Sequence, residues 1–173
     1  KVRITAKGKN IEYAKEIISP IEKHIRTRLG VKYFGSGSDS LASVVVDLLR
    51  ERGETLSVAE SCTGGGIGAE ITSVNGASDV FLGGIIAYNN QIKTNVLGIE
   101  YDLVEKFGAV SKPVVEAMAI KVRKKMKTSW SIAISGIAGP NGGSKEKPIG
   151  LVHFCIAGPS EVKSNFENFN SYH

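Results

Sequence analysis

Chemistry-bearing residue types crowd one stretch of this 173-residue chain: Glu60-Ser61-Cys62-Thr63-Gly64-Gly65-Gly66. It holds a hydroxyl, a thiol, a second hydroxyl and three glycines. Thr55–Ala59 before it alternates as a strand does, and Ile67-Gly68-Ala69-Glu70-Ile71 after it opens a helix. A turn of this kind places its residues at a helix N-terminus, where unpaired backbone N–H groups favour developing negative charge. Such a turn is expected to supply oxyanion donors to a nucleophile within it.

Two nucleophiles compete. Cys62 could become a thiolate at a helix start. Ser61 needs a base, and the histidines are poorly placed for that. His24 falls on an N-terminal helix, His153 mid-strand, and His173 is the last residue. Without a histidine, the known alternative is a Ser–Lys pair. Lys93 follows the polar strand exit Tyr88-Asn89-Asn90 near the start of the next helix, where burial and the helix dipole would both lower its pKa. Chemistry alone leaves Ser61 and Cys62 open.

A second glycine cluster, Gly136-Ile137-Ala138-Gly139-Pro140-Asn141-Gly142-Gly143, reads either as an anion cradle with Lys145 and Lys147 nearby or as a plain connection. The first glycine run is not a P-loop, since it lacks the Gly-Lys-Ser/Thr ending. Without Cys-x-x-Cys or paired histidines, no metal site is expected. Cys62 and Cys155 make no disulfide framework, and a reducing cytoplasm is the simplest setting. No apolar run reaches the roughly 18–20 residues that span a membrane. Lacking an initiator Met and a signal peptide, the chain reads as a fragment or processed product.

The elements that must position these residues follow from periodicity. Residues 1–35 read strand (Val2, Ile4, Ala6), helix (Ile11 to Ile25, interrupted at Pro20) and strand (Val31–Phe34), with 36–40 a linker. This segment carries nine Lys/Arg against three Glu. The bland account of that charge is a solvated face; the functional one is nucleic-acid contact. From Asp39/Ser40, which read as helix caps, a helix runs to about Gly53. The turn at 61 and its helix follow, then an apolar run Phe81–Tyr88 fit for a buried strand. A helix comes next around Ile92–Leu97, then one from Ser111 and Pro113 to Met126 with Met118 and Met126 as core. Strands at Trp130–Ser135 and Ile149–Ala157 complete the pattern. Alternating strands and helices predict a three-layer α/β/α domain over 41–173 with a mixed, mostly parallel sheet. The strand exits at Ser61, Tyr88 and Ser135 should then converge, because sites form at strand C-terminal ends.

In order along the chain, Ala59–Gly65, Tyr88-Asn89-Asn90 with Lys93, Gly108–Ser111, and Ser135–Pro140 through Glu146–Gly150 resemble the C-terminal domain of the competence/damage-inducible CinA family, which is similar to nicotinamide mononucleotide deamidase. The resemblance covers about residues 40–158. Residues 1–35 resemble more weakly the KH-type middle domain of longer CinA proteins. They lack a Gly-x-x-Gly clamp, so RNA binding is not expected.

The resemblance implies hydrolysis of the nicotinamide mononucleotide amide to nicotinic acid mononucleotide and ammonia, without a cofactor, in a homo-oligomer. By it Ser61 is the nucleophile, Lys93 the base and Tyr88 a third catalytic residue. Thr63, Gly64, Gly65, Asn90, Ser135, Gly136, Gly139, Gly142 and Gly143 would bind the nucleotide. The family pattern continues into a further strand and an arginine-bearing helix, which the tail Asn165–His173 matches poorly. A non-catalytic nucleotide-binding or regulatory module is the alternative that keeps the same pocket.

Overall fold

A computed structural model describes residues 2–169. Two compact units divide it, one up to Val44 and one from Val45 onward.

The first unit is built on helix α1 (Ile11–Leu29). The Asn10 side chain caps it by accepting from the Tyr13 N–H at 2.8 Å. Pro20 lies inside the helix without ending it; a proline removes one ladder hydrogen bond, and the neighbouring turns retain theirs. Neither flanking strand is formed. Residues 2–8 have no regular structure, and Gly30–Lys32 is a 3₁₀ turn. Alternating side chains make a strand only where a partner strand accepts its hydrogen bonds, so the small α+β appendage becomes one helix with irregular flanks. None of the α1 side chains is buried.

The second unit carries a five-stranded sheet of order β2-β1-β3-β4-β5. Its strands are β1 (Leu56–Glu60), β2 (Phe81–Ile86), β3 (Trp130–Gly136), β4 (Leu151–Ala157) and β5 (Val162–Asn168). β1 runs parallel to β2 and β3, and β4 is antiparallel to β3 and β5. Helices α2 (Leu41–Arg52), α3 (Gly66–Thr72), α4 (Asn90–Asn95), α5 (Tyr101–Phe107) and α6 (Lys112–Met126) flank it. This is the expected mixed α/β fold.

Strand alternation divides the core. Ala59, Ala133 and Cys155 turn to one face, where Val114, Val115, Met118 and Val122 of α6 cover them and Met126 packs alongside. Leu56 and Val58 turn to the other, against Val46 and Leu49 of α2 and Ile71 of α3. Ser40 caps α2, its Oγ accepting from the Ser43 N–H at 3.0 Å, while the Asp39 carboxylate instead accepts from Ser36 N–H at 2.9 Å.

Three expectations change. The apolar run 81–88 is an edge strand with Leu82 and Ile86 exposed, rather than a buried one; composition alone does not tell an edge from a centre. α5 was not anticipated, being only seven residues long. The poorly matching tail contributes β5, whose exposed polar residues hid an edge strand. His173 and the tail beyond Phe169 lie outside the described residues.

Candidate active site

Parallel pairing brings two strand exits beside the end of β1. Glu60 is in register with Ile86 of β2 and Ile134 of β3. One residue on, the Ser61 N–H donates to the Ile134 carbonyl at 3.0 Å and the Ala87 N–H to the Glu60 carbonyl at 2.6 Å. Ser61 and Ser135, both buried, thus leave adjacent strands.

After β2 the chain turns into α4, where the Asn89 side chain accepts from the Gln91 N–H at 2.8 Å. Lys93, one turn inside this helix, reaches back under the turn and is 1% exposed. Its Nζ lies 2.7 Å from the Ala87 carbonyl, 3.1 Å from the Tyr88 carbonyl and 3.2 Å from Ser61 Oγ. Among the described residues no carboxylate pairs with it. Burial pushes the amine below its ordinary value of 10.5, the nearby Cys62 thiol opposing this. Carbonyl oxygens only accept, so two of the Nζ hydrogens are committed to Ala87 and Tyr88. In the neutral amine the lone pair is left for the Ser61 hydroxyl.

Glu60, also 1% exposed, lies at the other side of the turn. Its Oε2 accepts from the Gly65 and Ile67 N–H groups, each at 3.1 Å, and its Oε1 from Gly68 N–H at 2.8 Å. The start of α3 is therefore occupied by the protein's own carboxylate. The Gly65, Ile67 and Gly68 N–H groups are thereby committed to Glu60, which leaves the earlier residues of the turn as the backbone donors nearest Ser61. Within the turn, Gly64 N–H donates to the Ser61 carbonyl at 3.1 Å and Gly66 N–H to the Thr63 carbonyl at 3.0 Å. Among the described residues the Cys62 and Thr63 N–H groups have no backbone acceptor, and they lie by the Cys62 sulfur. Burial raises the Cys62 thiol above its ordinary value of 9.0, those two N–H groups opposing it. Burial thus opposes the thiolate that a helix start could favour at Cys62. Cys155 belongs to the core and is pushed up to about 11, mainly by burial.

The remaining sequence-predicted residues divide. Tyr88 contributes its carbonyl to Lys93, while its side chain is 72% exposed. Thr63, Gly64 and Asn90 are exposed and Gly65 half-buried. Ser135 donates to the Ala109 carbonyl at 2.8 Å, tying the Gly108–Ser111 segment to β3. Gly136 passes so close to the turn that an added Cβ would lie 3.0 Å from Cys62 Sγ. Gly139 and Gly143 pack against Ile149. Among the described residues no hydrogen bond joins the stretch 139–143 to Ser61, Cys62 or Lys93. Lys147 donates to the Phe107 carbonyl at 2.6 Å and so anchors the loop to the end of α5. His153 pairs in register with Ser135 but stacks on Phe166 at 5.5 Å.

Sequence reasoning assigned no role to Glu60 or the Ala87 carbonyl. An acidic residue just ahead of a glycine-rich helix start was a usable signal for the first. The second carries none, because any residue has a carbonyl.

The CinA C-terminal domain model matches residues 38–173. The chain belongs to this family. A CinA-like protein of Prochlorococcus marinus (strain NATL1A) is 53% identical over 99% of this chain and 40% of its own length. One from Nostoc punctiforme is 47% identical over 96% of this chain and 40% of its own. The chain thus spans about two-fifths of the curated relatives it matches. Among solved structures, the competence/damage inducible protein CihA from Agrobacterium tumefaciens superposes with a TM-score of 0.74 at 33% identity, covering 79% of this chain and 86% of that one. A CinA superfamily protein from Klebsiella pneumoniae gives 0.73 at 30% identity, covering 76% and 82%. Among the described residues of this CinA domain, no helix is long and apolar enough to cross a membrane.

Proposed function

We propose that this CinA domain hydrolyses the carboxamide of nicotinamide mononucleotide, giving nicotinic acid mononucleotide and ammonia, with Ser61 as nucleophile and Lys93 as its base. One observation carries the mechanism: a buried lysine amine, unpaired with any carboxylate among the described residues, 3.2 Å from a buried serine hydroxyl. Family resemblance carries the substrate, homo-oligomeric assembly and the assignment of residues 41–173 as the catalytic domain, and two cysteines without a disulfide framework carry the cytoplasmic setting.

Neutral Lys93 accepts the Ser61 proton as Oγ attacks the amide carbon, which the pyridinium ring makes electron-poor. Charge builds on the amide oxygen, and the N–H groups of Cys62 and Thr63, which among the described residues have no backbone acceptor, are assigned as its donors. As the C–N bond breaks, the Lys93 ammonium returns the proton to the leaving nitrogen, releasing ammonia. Water then attacks the Ser61 ester, Lys93 takes its proton, and the acid departs as Ser61 is reprotonated. Lys93 serves both half-reactions because the Ala87 and Tyr88 carbonyls hold it in place throughout. Tyr88 acts here through its main chain. The exposed Thr63, Gly64 and Asn90 at the mouth, with Gly65, Ser135 and the loop Gly136–Gly143, are assigned to nucleotide binding.

The test is ammonia release from nicotinamide mononucleotide, with mass detection of the acid product and of an ester on Ser61. Wild type should turn over and Ser61→Ala should not. Full activity of Ser61→Ala with loss in Cys62→Ala would transfer the nucleophile to the thiol. An inactive wild type that still binds the nucleotide would indicate a binding module.

A further inference from the structure

Glu60 has no part in that mechanism, yet it is a buried carboxylate one residue before the nucleophile. Its oxygens accept three backbone N–H groups, from Gly65, Ile67 and Gly68. These bonds span the far side of the turn, while Ser61 N–H is held from the near side by the Ile134 carbonyl. Between the two anchors lie Ser61, Cys62, Thr63 and Gly64. The Gly64 N–H closes on the Ser61 carbonyl, and among the described residues the N–H groups of Cys62 and Thr63 keep no backbone acceptor.

Resting on the proposed Ser–Lys reaction, we propose that Glu60 is a positioning residue for catalysis. Its carboxylate draws the Gly65–Gly68 backbone inward and thereby sets the angle at which the Cys62 and Thr63 N–H groups meet the developing oxyanion. Being 1% exposed, it does not itself reach the substrate. Glutamine has nearly the same shape but only one acceptor oxygen. Its NH₂ end would face a backbone N–H, donor against donor. At least one of the three anchors must then open. Donors aimed at the transition state matter more to turnover than to substrate binding. Glu60→Gln should therefore lower kcat and spare KM.

The experiment compares wild type, Glu60→Gln and Val46→Ala as full chains. Val46 is a core residue of α2 on the same sheet face, outside the turn, and its truncation supplies a general loss of stability. Expected for Glu60→Gln is a kcat roughly 100-fold lower, the scale of a misplacement near 1 Å, with KM within about threefold. Labelling of Ser61 by phenylmethylsulfonyl fluoride should slow in parallel, and exchange of the Gly65, Ile67 and Gly68 amides should accelerate. Val46→Ala should keep wild-type kcat and labelling rate despite a lower Tm. The proposal is overturned if folded Glu60→Gln keeps kcat within twofold, if Val46→Ala loses kcat equally, or if the three amides exchange alike in wild type and Glu60→Gln. Failure of the hydrolase reading is separate: wild type would neither release ammonia nor label at Ser61. Amide exchange alone then decides, and unchanged exchange overturns the positioning role as well.

Discussion

Glu60 and Lys93 are both buried ionisable side chains beside Ser61, and the fold treats them in opposite ways. Both oxygens of Glu60 are engaged by backbone donors, so the group is held and has nothing left to exchange. Lys93 is satisfied by backbone at only two points, and its third contact is the serine hydroxyl. A fully bonded buried charge builds a frame. A buried amine with one direction left open is available for proton transfer. Burial costs free energy in both cases; three backbone donors meet Glu60 and two backbone carbonyls meet Lys93, and burial shifts the lysine towards its neutral form.

The largest effect expected is at the open side of this contrast. Lys93→Ala and Ser61→Ala should each lower kcat by at least about 10⁴-fold, and the double variant should lose little more, because the two act as a unit. Independent, multiplying losses in the ammonia assay would break the pair apart.

The pH dependence sharpens the same point. Because Lys93 is lowered in the folded chain, kcat/KM should rise with pH on a limb whose midpoint lies below the ordinary lysine value of 10.5. Between the folded value and 10.5 the unfolded chain binds the extra proton, so the lysine's contribution to stability rises with pH across that window and is lost as pH falls through it. Thermal melts of Lys93→Met should therefore gain relative to wild type as pH is lowered through the window. A gap independent of pH would place the ionised form in the fold.

Smaller effects lie outside the frame. Ser135→Ala removes the tether to the Ala109 carbonyl and should cost about 1–2 kcal/mol in denaturant unfolding, with kcat falling less than in the Lys93 variant. Tyr88→Phe should change kcat by less than about threefold, since the exposed ring leaves the Lys93 contact to the carbonyl and a surface substitution of this kind is nearly neutral to folding. A large kcat loss there would restore a catalytic hydroxyl.

Much of the second unit was legible because its signals are periodic and local. The α6 stripe of Val114, Val115, Met118 and Val122 and the alternation around Val58 and Ile132 each name an element and a buried side. The strand-to-helix turn at Ser61 announces itself by its glycines. What failed were segments whose state depends on a neighbour. Val2–Ala6 and Val31–Phe34 alternate yet form no strand, whereas Val162–Asn168, mostly polar and not expected as a strand, pairs with β4. Hydrogen bonds to a second strand decide such cases, and pattern within one segment does not contain them.

At the site the division is similar. Residue types alone marked Ser61 and Cys62 as candidate nucleophiles, withheld a histidine and left Lys93 as a candidate base. The parallel register of β1 with β2 and β3 then brought Ala87 and Ser135 alongside Ser61, and α4 carried the lysine amine to 3.2 Å from the hydroxyl. That lysine's lowered pKa, the raised Cys62 thiol and the Glu60 carboxylate closing the helix start all arise from burial and backbone hydrogen bonds. Those are properties of surroundings assembled from residues 56–136, and a linear order of side chains does not carry them.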